Sequence, residues 1–199
     1  MVELAAGLGA LAPAHIAALT GGRSIERIVY SAEEIAARVR SLGDEITRAY
    51  EGEDDLLVLG LLKGSFIFLG DLVRCISRPV QVDFLVASSY GAGTTSSGQV
   101  ELLYQPAAPL TGRNVILVED IVDSGNTLNR MMEALDAHDL KSLEICALLH
   151  KHIASDLARE ARWVGFDAPR DFLVGYGLDH AEDFRHLPFI ASLSEQDQG

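Results

Sequence analysis

Stretches with a helical hydrophobic rhythm alternate along this chain with short, solidly apolar runs. Ser31 and Glu34 have the spacing of a capping box, and Ile35, Val39, Leu42 and Ile46 then fall on one helical face. Residues 56–62 (LLVLGLL) are apolar throughout, as a parallel strand covered on both faces should be. Phe66, Leu69, Leu72, Val73 and Ile76 predict a second helix from Ser65 to about Ile76. Val80, Val82, Phe84 and Val86 alternate with a period of two, which predicts a strand over 80–87. Residues 88–98 (SSYGAGTTSSG) are polar and glycine-rich, a long exposed loop, and strand character resumes over 99–104. A strand over 114–119 (NVILVE) ends in acid, a helix follows from about Gly125 to Ala137, and 143–149 (LEICALL) is another buried strand. Trp163 to Phe166 and Phe172 to Tyr176 read as short strands.

Strands that alternate with helices predict an α/β fold, an open and mainly parallel sheet flanked by helices. Ligands bind beyond the carboxyl ends of such strands. That directs attention to the segments just after Leu62, Glu119 and Leu149. The 199 residues suit one domain of this kind, over 28–199, with 1–27 as an N-terminal extension. Met1 to Leu19 is rich in Ala, Leu and Gly but carries Glu3 and lacks the basic start of an export signal. No apolar run reaches the ~18 residues that a membrane span needs. Cys75 and Cys146, with no CxxC motif, fit two buried thiols in a reducing cytoplasm. The net charge of −13 and the lack of a Lys/Arg cluster argue against nucleic acid and against an anionic membrane as partners. A small anionic substrate stays open, because a few local donors can govern one pocket.

The chemistry concentrates in Val115 to Leu128, VILVEDIVDSGNTL. An apolar strand ends in Glu119 and Asp120; two apolar residues later come Asp123, Ser124, Gly125, Asn126 and Thr127, and then a helix. Small and hydroxyl residues at a helix start present free backbone N–H groups backed by the helix dipole, which makes a phosphate site. Ser124 and Thr127 add hydroxyls, and Gly125 lets the backbone approach closely. The two carboxylates before it suit a pair of ribose hydroxyls. Singly, each feature has an ordinary explanation, a solvated acid pair or a helix cap; the ordered combination matches a ribose 5-phosphate.

This combination resembles the PRPP-binding signature of the type I phosphoribosyltransferases, and EDIVDSGNTL is similar to their hypoxanthine-guanine branch. The resemblance runs from about Ile28 to Leu193 and implies that family's fold, with a small hood formed by terminal segments and a flexible lid loop. LKGS at 62–65 resembles the family's pyrophosphate loop, with Ser65 in place of a Gly and a peptide bond before Lys63 that is often cis in the family. Ser89 and Tyr90 fall in the lid. Lys151 matches the lysine that reads the purine 6-oxo group, and Phe172 and Leu173 the segment that stacks on the base. Asp179 and Arg185, in GLDHAEDFRHLP, match a magnesium-linked carboxylate near the base and a pyrophosphate-binding arginine. The resemblance implies that Glu119, Asp120 and Asp179 serve a Mg2+ ion and that Asp123 is the general base. Lys63, Gly64 and Arg185 are then the pyrophosphate site, in a cytoplasmic homo-oligomer, a dimer or tetramer.

Two neighbouring readings stay open on the residues alone: a xanthine-preferring enzyme, and a non-catalytic PRPP-sensing regulator on the same fold. A phospho-receiver domain is disfavoured because two strands precede the acid pair. A dinucleotide enzyme is disfavoured because no GxGxxG follows a strand. His150 and His152 have H-x-H spacing without further metal ligands nearby, and His180 is placed by the resemblance near the base pocket.

Overall fold

A computed structural model describes residues 13–89, 100–104, 109–123, 125–151 and 157–193. A short helix, α1 (Pro13–Leu19), leads into β1 (Ile25–Tyr30). Ser31 then starts α2 (Ala32–Ala49) through the anticipated capping box: its side chain accepts from the Glu34 N–H, and the Glu34 carboxylate accepts from the Ser31 N–H. The chain continues as β2 (Leu56–Leu62), α3 (Phe66–Cys75), β3 (Gln81–Ser89), β4 (Val100–Tyr104), β5 (Asn114–Val122) and α4 (Asn126–Asp136). It closes with β6 (Ser142–His150), β7 (Trp163–Asp167), β8 (Leu173–Val174) and β9 (Ile190–Leu193).

Six strands form the main sheet in the order β4-β3-β2-β5-β6-β7. All neighbours are parallel except β3 and β4. Burial on both faces explains the solid apolar runs. Leu56 and Val58 of β2 join Ile35, Val39, Leu42 and Ile46 of α2 and Phe68, Leu69 and Leu72 of α3 in one core. Leu57, Leu59 and Leu61 point the other way, into a second core with Leu128, Met131, Met132 and Leu135 of α4. At the sheet's edge, Arg38 of α2 donates to the carbonyls of Val164 and Gly165, so β7 does not present a bare row of acceptors.

The strand order sets the position of the site. From β2 the chain proceeds to β3 and β4 on one side and then returns to place β5 on the other side of β2. The connections therefore diverge between the carboxyl ends of β2 and β5, which is where an open α/β sheet forms a binding crevice.

A second sheet, β1-β9-β8, is antiparallel and makes the hood. Its core contains Val174, Phe184, Leu187, Phe189, Ala191 and Leu193. The hood reaches into residues 1–27: Arg23 pairs with Asp183 and lies over the Phe184 ring at 4.1 Å, and Arg27 pairs with Asp171 at 2.6 Å. The strand anticipated over Phe172 to Tyr176 extends only through Leu173–Val174, because Gly175, Tyr176 and Gly177 have φ of 98°, 50° and 105° and turn the chain back. Among the described residues, no helix is long and apolar enough to cross a membrane.

Helices α2 and α3 touch at Gly43, where an added Cβ would lie 2.5 Å from the Cys75 carbonyl oxygen. Alanine favours a helix over glycine by ~1 kcal/mol, but here it must push against backbone, and overpacking costs about 1–3 kcal/mol. We expect Gly43→Ala to be the less stable protein, with a lower urea midpoint; an unchanged or higher midpoint would show that the two helices slide apart freely.

Candidate active site

Three loops meet at the carboxyl ends of the adjacent strands β2, β5 and β6. The first is Lys63-Gly64-Ser65. The peptide bond between Leu62 and Lys63 is cis, as the resemblance implied. Ser65, the departure from the family pattern, is fully buried and donates its hydroxyl to the Leu61 carbonyl at 2.6 Å. The extra side chain thus turns into the protein and leaves the loop's outer face to backbone. Lys63 stays exposed, with its ammonium 3.0 Å from Glu182.

Gly64 is enclosed on two sides. A Cβ at Gly64 would land on the Asp120 carboxylate, and a Cβ at Gly177 would land on the Gly64 carbonyl. Close backbone approach of this kind is available to glycine alone. The pyrophosphate-type loop, the acid pair and the C-terminal segment are therefore in contact around one residue. Gly177 was not singled out from the sequence; its place at the start of GLDHAEDFRHLP was the available signal.

The second loop follows β5. Successive residues of a strand point to opposite faces, and both members of the acid pair are nevertheless withdrawn from water. Burial raises the carboxyl of Glu119 well above the usual range, and the neighbouring Asp120 adds to this; among the described residues Glu119 Oε2 has no hydrogen-bond partner. Burial also pushes Asp120 to about 6, opposed by its bond from the Ile121 N–H and by the Arg185 charge. Such acids attract a cation, which would supply the missing positive charge. Asp123 lies just beyond, exposed. Gly125 has φ of 78° and caps α4 without a side-chain bond, and the first turn of α4 carries no acid. That end of the helix keeps free N–H groups for an anion. Thr127 is exposed in this turn. Asn126 begins α4, and Ser124 lies outside the described residues.

The third loop begins at Lys151. Its N–H donates to the Val122 carbonyl at 2.8 Å, continuing the pairing of β6 with β5. Its side chain is largely buried, and its ammonium reaches the Asp123 carboxylate at 3.5 Å. A largely buried cation and an exposed carboxylate thus form a pair.

The hood supplies the remainder. Phe172 exposes its ring, and the His180 ring meets it edge-on at 5.3 Å between centroids. Leu173 turns inward and is buried in the core. Arg185 donates to the Gly177 carbonyl at 2.8 Å and pairs with Asp179 at 2.8 Å. The other Asp179 oxygen accepts from the Glu182 N–H at 2.9 Å. Of the lid, Ser89 ends β3, and Tyr90 lies outside the described residues, as does His152.

The donor set fits magnesium. Mg2+ binds oxygen, takes one or two carboxylates from a protein, and completes its shell with water and substrate phosphate. Glu119 offers a buried carboxylate, with one oxygen unpartnered among the described residues, Asp120 a half-buried one, and Asp179 lies near Asp120. Among the described residues no group of three or more His, Cys, Asp or Glu is placed to hold a metal ion.

Comparison with known proteins bears on the same segments. The phosphoribosyl transferase domain family matches residues 27–181. A hypoxanthine-guanine phosphoribosyltransferase of Dictyostelium discoideum is 41% identical over 172 residues, covering 85% of this chain and 96% of that protein. The bifunctional protein TilS/HprT of Listeria innocua is 41% identical over 172 residues, which are 86% of this chain; the chain spans only 26% of that longer protein. A crystal structure of a hypoxanthine-guanine phosphoribosyltransferase from Bacillus anthracis superposes with a TM-score of 0.81 at 44% identity, covering 86% of this chain and 100% of that one. The chain is a member of the type I phosphoribosyltransferase family, within its hypoxanthine-guanine branch.

Proposed function

We propose that this protein is a purine salvage enzyme that transfers the 5-phosphoribosyl group of PRPP to hypoxanthine or guanine, giving IMP or GMP and pyrophosphate. The observation that carries this reading is the Lys151–Asp123 pair, 3.5 Å apart at the ends of adjacent strands. A 6-oxopurine presents O6 and N7 side by side on one edge. The Lys151 ammonium donates to O6, and the Asp123 carboxylate accepts the proton from N7. Adenine offers an amino group where O6 would be, so two donors would face each other. Phe172 stacks on the ring, Leu173 supports it from the core, and His180 borders it.

The 5-phosphate lies on the N–H groups of Asp123 to Thr127 at the start of α4. Glu119 and Asp120 hold the ribose hydroxyls, and Lys63, Gly64 and Arg185 hold the pyrophosphate. As the bond from the anomeric carbon to the pyrophosphate oxygen breaks, the sugar becomes oxocarbenium-like and the buried carboxylates stabilise it. The new bond forms to the purine nitrogen, and the base's proton passes to Asp123. Glu119, Asp120 and Asp179 would hold Mg2+ together with the substrate, and the ion would supply charge that offsets the departing pyrophosphate. Ser89 and Tyr90 belong to the lid that excludes water. The enzyme works in the cytoplasm as a homo-oligomer.

Purified protein with PRPP and Mg2+ should form nucleotide from hypoxanthine and guanine, and far less from adenine; a chelator should stop it. Asp123→Asn should lower kcat by ~10²–10⁴. Binding of PRPP with no transfer to any purine base would instead support a PRPP-sensing regulator, and xanthine turnover above the other two would support a xanthine enzyme.

Lys151→Gln removes a charged donor worth about 1.5–3 kcal/mol. We expect kcat/KM for hypoxanthine to fall by roughly 10–100-fold while the trace rate with adenine does not fall. Equal losses on both bases would remove Lys151 from base selection.

Gly64→Ala places a methyl on the Asp120 carboxylate. Displacement of the order of 1 Å at a reacting centre costs ~10²-fold, so kcat/KM for PRPP should drop by about that factor with little change in the melting temperature. Full activity in the variant would show that the crevice tolerates the shift.

A further inference from the structure

The turn His180–Asp183 carries an outlier that the catalytic reading does not use. His180 and Asp183 exchange backbone hydrogen bonds at 3.2 and 3.0 Å. Between them Ala181 and Glu182 both adopt left-handed backbone, with φ of 51° and 66°. Asn-Gly is the usual occupant of such a turn. A long acidic side chain in this conformation is strained, and strain of this sort is retained where a side chain has a use. The Glu182 carboxylate reaches across the crevice to Lys63, 119 residues away, at 3.0 Å, and the same oxygen lies 3.5 Å from Arg185. The contact with Lys63 holds the Glu182 carboxyl below its usual range. Its backbone N–H is fixed separately by Asp179, so the arm swings on an anchored base.

We propose that Glu182 is an internal stand-in for pyrophosphate: its carboxylate neutralises Lys63 and Arg185 in the empty site, competes with the phosphates of PRPP and promotes release of product pyrophosphate. This rests on the reading that those two cations take the pyrophosphate. Lys63 and Glu182 are both 66% exposed. The pair is therefore weak enough for a polyanion to displace, and its carboxylate stays close enough to re-form the pair when the product leaves. Glu182 contacts neither reacting atom; it is a positioning residue acting through the two cations.

The test is calorimetric binding of pyrophosphate with Mg2+ to the native protein and to Glu182→Gln, with steady-state kinetics alongside. An exposed ion pair of this kind is worth a factor of about two to five. The expected result is a pyrophosphate Kd lower by that factor in the variant, a lower KM for PRPP, and a kcat that does not rise. The difference should shrink as salt is added and shrink further in a Lys63→Met background, where Arg185 alone is left for Glu182 to neutralise. A merely structural Glu182 would give the opposite sign, weaker binding on substitution. Should Glu182→Gln fail to fold, Glu182→Gly suits the left-handed backbone and carries the same expectation. Unchanged or weaker pyrophosphate binding in a folded variant overturns the inference while native turnover leaves the enzymatic reading standing. Absence of phosphoribosyl transfer by the native protein removes both together.

Discussion

The Asp120 carboxylate occupies the space that a side chain at Gly64 would need, and the Gly64 carbonyl occupies the space that a side chain at Gly177 would need. Two contacts, one with the Asp120 carboxylate and one with the Gly64 carbonyl, thus lock the end of β2, the end of β5 and the segment below the hood. Every other site element is placed relative to this stack. Lys63 precedes it, Asp123 follows Asp120 by three residues, and Arg185 is tied back through its bond to the Gly177 carbonyl. Ladder pairing sets β2 beside β5; the glycines let the loop after β2 pack directly against the Asp120 carboxylate.

Withdrawal explains the electrostatics. Glu119, buried, and Asp120, beside it in the strand and partly withdrawn from water, hold their protons more tightly than they would in water, and an incoming cation relieves the conflict. The protein is acidic overall, yet the crevice gathers Lys63, Lys151 and Arg185 with the unblocked start of α4. The mixture suits a substrate that arrives as a polyanion accompanied by metal. Bulk charge, which argued against nucleic acid, says little about a pocket built from a few local groups.

The main sheet was legible because its central strands β2, β5 and β6 are buried on both faces, which leaves uniform runs such as LLVLGLL, and its helices on one, which leaves a clean period. The loop chemistry was legible because EDIVDSGNTL is contiguous. The hood was not. β1 mixes exposed and half-buried residues without alternation, β8 has two residues, and β9 is a short run whose pairing with β1 is set from a distance. The glycine stack and the reach of Glu182 to Lys63 join positions more than 100 residues apart; no local pattern carries such information. The inward turn of Ser65 depends likewise on the Leu61 carbonyl that receives it.

The pairing of β1 with β9 joins Tyr30 to Ile190. In a chain made from its N-terminus, β1 must therefore wait about 160 residues for its partner, while β2, β5 and β6 can pair as they emerge. The carboxyl ends of β2, β5 and β6 can therefore be brought together before the wall that carries Phe172 and Arg185 is docked. Under the function proposed above, the groups assigned to the sugar come early in synthesis and those assigned to the base come late, so the site is complete only when the last strand docks.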